Sequence, residues 1–386
     1  MRGRRDHWLK AGAATVSLAL LVVGAVVAQD PAPPAAKGVA PGKDAAAKEK
    51  DKGKATKKGR LLRAPGREPA KGVRKAVDPL ANAVNADGVV VAPGQPPPAL
   101  GTFHYRFKIS VNGGEPLSAG YYPSRIGMTA PVVMLIHERE RSSKDFEESI
   151  AELKKYTFAE ELQKQGYAVL ALDYRGHGAS APRRTLARTE WPAVIADLQT
   201  AYYCLVDRHN WAELNVAKLG VVALGEGANL AATWAALGGG VSSEGRTSDL
   251  AALVLVSPMV DAQSQGLLAK PPITAVAARV PLDLLAGERD VASFGLVDDG
   301  PASVKAIVKR YRSNRVETFP SALHGYKLLQ FEPNMPGTIT KFLEGTIKVK
   351  HEEWEGRYLL TPVTYADVKM IKNPVRADAA AKKAQN

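Results

Sequence analysis

The chain has a single cysteine, Cys204, among 386 residues, so no disulfide can form within it. Cys204 falls in a helical stretch from Leu198 to Val206 and reads as a small buried apolar residue rather than a reactive thiol. Its seven histidines are scattered, and none stands at a ligand spacing from another His or from the Cys. The sequence therefore offers no metal site and implies no cofactor. Charge of one sign is also missing from most of the chain. The net charge is +13, but residues 76–386 hold 34 Lys and Arg against 33 Asp and Glu. The excess sits in residues 31–75, with 14 against 4. The high isoelectric point thus belongs to one basic segment and gives no argument for a specific nucleic-acid partner.

Residues 1–28 carry Arg2, Arg4, Arg5 and Lys10 and then an uncharged apolar run from Ala11 to Ala28. Val26-Val27-Ala28 supplies small residues for cleavage before Gln29, the pattern of a bacterial-type signal peptide, which implies a periplasmic or secreted protein. The rival reading is an uncleaved inner-membrane anchor; an eighteen-residue run diluted by Gly12, Thr15, Ser17 and Gly24 is at the short limit for that. Residues 29–100 are dominated by Pro, Ala, Gly and Lys, and such a composition buries too little surface to offset chain entropy. They read as a disordered basic linker, with weak contact to a membrane surface or polyanion through residues 37–75 as its one specific alternative to a solvated tether.

From Gly101 the composition becomes that of a folded domain, expected over residues 101–347. Phe103–Val111 alternates apolar and polar residues, and Asn112-Gly113-Gly114 turns it back into Leu117–Tyr122 as an antiparallel hairpin. After that come short continuous apolar runs at Pro131–Ile136, Tyr167–Leu172, Leu219–Leu224, Leu250–Val256 and Val280–Ala286. These suit parallel strands buried on both faces. Amphipathic stretches over Asp145–Gln165, Trp191–Trp211, Glu226–Leu237 and Val304–Ser313 separate them. Arg315–Phe319 reads as a last strand and Ile339–Ile347 as a closing helix. Alternating strands and helices predict an α/β fold, a doubly wound, mostly parallel sheet with helices on both faces. Residues 348–386 form a C-terminal extension whose end is expected to be disordered. Its aromatic segment His351–Tyr365 reads either as packing on the domain or as a partner site.

Four local motifs, in order along these strands, carry a resemblance. They are Leu135-Ile-His137-Glu138, Asp173-Tyr-Arg-Gly-His-Gly178, the turn Ala223-Leu-Gly225-Glu-Gly227, and Ala286-Gly-Glu-Arg-Asp290 followed by His324-Gly325. Together they resemble the α/β-hydrolase superfamily, in its dienelactone-hydrolase-like and serine-peptidase-like branch, from about Gly101 to Ile347. The resemblance implies an eight-stranded sheet without a large cap domain, and a nucleophile, acid and histidine in that order. Position 225 is then the nucleophile elbow, where the superfamily carries Ser, Cys or Asp and this chain carries Gly. Asp290 matches the acid and His324 the histidine. The backbone N–H groups of Glu226 and Arg139 match the oxyanion hole. His177 matches a loop-shaping position rather than a ligand.

Two departures add to the missing hydroxyl. Glu138 stands where the superfamily has a flexible Gly. Glu226 brings a carboxylate toward the point where negative charge would develop, opposing the stabilisation that acyl transfer requires; alternatively it is a favourable anion in the first turn of a helix. Glycine at 225 itself has a backbone reason. The elbow holds its nucleophile at positive φ, a cost of about 1–3 kcal/mol for a residue with a Cβ, and glycine adopts it freely. These observations point to an exported α/β-hydrolase-fold protein without serine-type catalysis, a pseudoenzyme that binds an unidentified small ligand or envelope partner. Two alternatives remain. One is an active hydrolase of esters or related acyl substrates in which Asp290 and His324 activate water. The other is an envelope interaction module tethered by its basic tail.

Overall fold

In the computed structural model the apolar runs become adjacent strands. The structure describes residues 80, 84–85, 103–153, 156–180, 182, 184–241, 248–260, 267–297, 303–359 and 361–373, all within the unit Gly72–Asn386. The expected signal peptide, most of the expected linker and the chain end beyond residue 373 lie outside the described residues. Among the described residues no helix is long and apolar enough to cross a membrane.

Ten strands form one sheet: β1 (Val84–Asn85), β2 (Phe103–Val111), β3 (Leu117–Tyr122), β4 (Val132–Ile136), β5 (Ala168–Leu172), β6 (Leu219–Leu224), β7 (Leu250–Val256), β8 (Leu282–Gly287), β9 (Arg315–Phe319) and β10 (Val363–Lys372). Their order is β1-β10-β2-β3-β5-β4-β6-β7-β8-β9. β4 to β9 pair in parallel, while β2 and β3 pair antiparallel with their neighbours. The expected mostly parallel α/β sheet is therefore present, with its eight strands β2 to β9. Two more strands lie on the β2 edge, one from each flanking segment. β10 runs antiparallel to β2, and the two-residue β1 pairs in parallel with β10.

The helices are α1 (Phe158–Lys164), α2 (Trp191–Asn210), α3 (Glu226–Ala236), α4 (Lys270–Ala277), α5 (Phe294–Val297), α6 (Val304–Val308), α7 (Gly325–Phe331) and α8 (Met335–Leu343). Side-chain alternation along β4 shows how both faces are covered. Val132, Met134 and Ile136 pack into a core shared with α2, α3, α4 and α6, whereas Val133 and Leu135 pack into a second core with α1, α7 and α8. Every strand residue of β4, β5, β6 and β8 is buried. This burial on both sides is why β4, β5 and β6 read as unbroken apolar runs, while β8 carries one buried carboxyl group, Asp283.

One expected helix is corrected. Asp145–Gln165 is not a single amphipathic helix but a short 3-10 turn at Ser143–Glu147, an irregular link, and then α1. The start of α1 is fixed by a capping box: the Thr157 side chain accepts from the Glu160 N–H at 3.1 Å, and Glu160 accepts from the Thr157 N–H at 2.9 Å. Upstream, Ser149 bridges Thr157 as an extended pair, which a continuous helix would forbid. The closing helix also differs, with α8 starting at Met335 and ending in a wider turn over Glu344–Lys348.

The C-terminal extension packs on the domain. Between α8 and β10 it crosses the far end of α2. There Trp354 Nε1 donates to the His209 carbonyl at 3.1 Å, and Asn215 Nδ2 donates to the Glu352 carbonyl at 3.0 Å. The buried His209 ring lies between two carbonyls, with Nε2 2.7 Å from that of Glu355 and Nδ1 3.1 Å from that of Leu214. Burial lowers its pKa, and the two carbonyls oppose that shift.

Candidate active site

The elbow backbone is intact. β6 ends at Leu224, and Gly225 adopts φ 54° and ψ −129° before α3 begins at Glu226. The Gly225 N–H donates to the Val256 carbonyl at 2.9 Å, and its carbonyl accepts from Ala228 at 3.0 Å. Gly227 passes so close to the carbonyl of His137 that an added Cβ would collide with it. The turn thus keeps both requirements of an elbow, a left-handed centre and a small residue two positions on, without a nucleophile to present.

Asp290 and His324 meet as the sequence suggests. Asp290 follows β8 and is 3% exposed, and His324 Nδ1 donates to its Oδ2 at 2.8 Å. Burial alone would lower the His324 pKa, but the hydrogen bond to Asp290 and the charges of Asp290, Glu138 and Glu226 raise it overall. Burial would raise Asp290, yet the bond and charge of His324, with the Ser257 and Ser293 side chains, bring it below its ordinary value. The acid thus holds the ring orientation, and each group favours the charged form of the other.

The unexpected member is Glu138. It leaves the end of β4 and lays its side chain over Gly225, so that a Cβ on residue 225 would lie 2.6 Å from Glu138 Cγ and 2.9 Å from Cδ. Its Oε2 accepts from the Tyr326 N–H at 3.1 Å, and its Oε1 lies 3.7 Å from His324 Nε2. The carboxylate also fills the space beside Gly325, which has φ 50° and no Cβ to obstruct it. Burial raises the Glu138 pKa, against the Tyr326 N–H and the charges of His324 and Arg141. The sequence marked Glu138 as a departure from the family pattern but placed it in the oxyanion loop, not in the nucleophile's volume. Only the return of that loop over β6 shows the second role.

The loop itself is anchored by His137. The ring is fully buried, stacked on Tyr174 with centroids 4.2 Å apart, and donates through Nδ1 to the Glu138 carbonyl at 2.7 Å. Burial lowers its pKa to about 4, against the nearby Asp173. His177 packs against Tyr174 with centroids 4.4 Å apart, and its Nδ1 lies 2.9 Å from the Arg175 carbonyl, a loop-shaping place. Burial raises the Glu226 pKa, and its own backbone N–H opposes the rise. Arg139 is half-buried in the same loop, and its charge acts on Glu226.

Chemically, the site holds the His324 ring between the Asp290 and Glu138 carboxyl groups. The space that a side chain at 225 would enter is filled by the Glu138 methylene and carboxyl carbon. Among the described residues no group of three or more His, Cys, Asp or Glu is placed to hold a metal ion.

Residues 132–315 match the family model described as serine aminopeptidase, S33. Similar solved structures include an esterase from Pyrococcus furiosus, 18% identical, covering 70% of this chain and 99% of that one at a TM-score of 0.47. A dienelactone hydrolase from Anabaena variabilis is 19% identical, covering 63% of this chain and 95% of that one at a TM-score of 0.44. An acylaminoacyl peptidase from Pyrococcus horikoshii is 12% identical, covering 66% of this chain and 43% of that one at a TM-score of 0.47. No curated protein matches the chain in sequence. Strand order, elbow and family match together define the class: the chain has the α/β-hydrolase fold. Gly225 stands at the centre of its elbow turn.

Proposed function

We propose that this chain is a non-catalytic binding protein of the cell envelope, built on a hydrolase fold whose reaction centre is closed by its own Glu138. The observation that carries this reading is the 2.6 Å separation between Glu138 Cγ and the Cβ that any nucleophile at 225 would need. Removing the nucleophile from a triad costs about 10⁶ in kcat, leaving a residual 10³–10⁴ over water from binding and oxyanion hole. Export is supported by the basic start and apolar run of residues 1–28, and the basic segment 37–75 would serve as a tether. A mature protein beginning at or near Gln29 is the expected mass-spectrometric result.

A second reading has one specific observation in its favour. The Asp290–His324 pair keeps a 2.8 Å hydrogen bond, the arrangement that would orient an imidazole to activate water on an ester or related acyl substrate. The deciding experiment treats the purified protein with a fluorophosphonate probe and activated esters. No labelling and no turnover above background are expected. Turnover that disappears in His324→Ala and Asp290→Asn would establish the water-activating dyad instead.

A further inference from the structure

The centre holds a carboxylate, which faces one backbone N–H and one imidazole nitrogen. Glu138 Oε2 accepts the Tyr326 N–H at 3.1 Å, and Oε1 faces His324 Nε2 at 3.7 Å. Gly225 and Gly325 open two sides of the cradle, since a Cβ on either would collide with the Glu138 side chain. The donors are held by contacts that do not involve Glu138. His324 is fixed through Nδ1 to Asp290 at 2.8 Å. Tyr326 is held at its hydroxyl by Glu148, and the Arg141 guanidinium covers its ring, 3.8 Å from the centroid. Arg141 is in turn held by Asp145 at 2.6 Å. The cradle is thus built from the β8–α5 and β9–α7 connections and the elbow, while its occupant arrives from a separate loop after β4.

We infer that this cradle is a receptor for a free carboxylate, with Glu138 as its tethered resident ligand. This rests on the reading of the site as non-catalytic and names the ligand class that reading leaves open. A carboxylate entering in place of Glu138 would pair one oxygen with the Tyr326 N–H and the other with His324 Nε2, a contact that is charge-assisted when the ring is protonated. The tethered group competes at an effective concentration of about millimolar or above, so the natural chain takes up a free carboxylate only weakly. Removing the tethered group exposes the full affinity. The carboxylate could be that of an aliphatic acid or of a peptide C-terminus, which share the same headgroup.

The test compares the natural protein with Glu138→Ala and Glu138→Gly. Two variants are used so that a folding defect in one does not end the test, glycine being the residue the superfamily places in this loop. Acetate is titrated by calorimetry and by the His324 ring proton resonances, with acetamide as the uncharged control. At least a tenfold gain in acetate affinity over the natural protein is expected in either folded variant. Acetamide should not bind, and the gain should vanish when His324→Ala is added. Butyrate and N-acetylglycylglycine then separate the two sources, the tighter binder identifying the one the surroundings favour. Folded variants whose acetate affinity does not rise, or that bind acetamide equally, overturn the inference while leaving the non-catalytic reading in place. Ester turnover by the natural protein would have the opposite effect, refuting that reading without touching the binding result.

Discussion

Glu138 and Gly225 lie against each other across the end of the sheet, the Glu138 Cγ standing 2.6 Å from where a Cβ on residue 225 would be. The two positions have therefore become interdependent. Gly225→Ser adds both the strain of a side chain at φ 54°, about 1–3 kcal/mol, and a collision with Glu138. A serine placed there alone is expected to lower the melting temperature and to remain unlabelled by a fluorophosphonate. The double variant Gly225→Ser with Glu138→Gly should recover part of that stability and gain labelling. A double-mutant cycle measures the coupling. Additive losses would mean that Glu138 and residue 225 do not share the space.

Much of this was legible before the structure. β2, β3, β6, β7 and β9 lie on the segments expected from apolar patterning, because buried parallel strands need unbroken apolar runs and edge strands need alternation. Asp290 and His324 were recognisable since each follows a strand end whose place in the order fixes it. Glu138 was not, because its effect depends on a side chain crossing to a strand far away in sequence. No local pattern records that. β10 was equally hidden: its burial alternates only weakly, and half of its partners come from the bulged register against β2. The broken stretch before α1 was misread because charged and apolar residues at helical spacing conceal a Thr157–Glu160 capping box that starts the helix late.

Gly227 is required by the shape of the turn. A Cβ there would run into the carbonyl of His137, a backbone atom held by the His137 ring and unable to rotate away. Gly227→Ala is expected to cost about 1–3 kcal/mol through overpacking, read from urea denaturation. A neutral result would show that the loop after β4 can move back from α3.

Two buried groups set opposite responses to pH. His137 is held neutral by burial, with its pKa lowered to about 4, so the unfolded chain binds the proton that the folded one refuses. Stability from this group rises with pH from about 4 up to the ordinary histidine range. Asp283 sits 2.7 Å from the Arg315 guanidinium, but burial wins and raises its pKa to about 6. The folded state then keeps a proton that the unfolded state has released, and stability falls as pH rises from the ordinary aspartate value to about 6, on the order of 3 kcal/mol. Chemical denaturation between pH 4 and 6.5 should show a shallow profile in the natural protein. Asp283→Asn should steepen the rise, and His137→Gln should turn it into a decline. Identical profiles in all three would contradict the burial assigned to these groups.

The C-terminal crossing ends in an ion pair that can be tested alone. Arg357 reaches Asp249 at 3.1 Å, and the same carboxylate accepts from the Tyr202 hydroxyl at 2.6 Å. Asp249 is 1% exposed and immediately precedes β7, so its carboxylate is shielded from water. Removing one partner of a buried pair typically costs 3–5 kcal/mol, and the surviving Tyr202 bond places Arg357→Ala toward the lower end. Asp249→Asn combined with Arg357→Ala removes the stranded charge and should cost less than Arg357→Ala alone. Trp354→Ala, which loses the bond to the His209 carbonyl and the ring packing on His209 at 5.0 Å, should destabilise the same end of α2 independently. Thermal melts of the single and double variants discriminate the cases. If Arg357→Ala and Trp354→Ala both leave the midpoint unchanged, the extension merely lies on the domain. If both lower it, the segment between α8 and β10 is part of what holds the sheet's β2 edge in place.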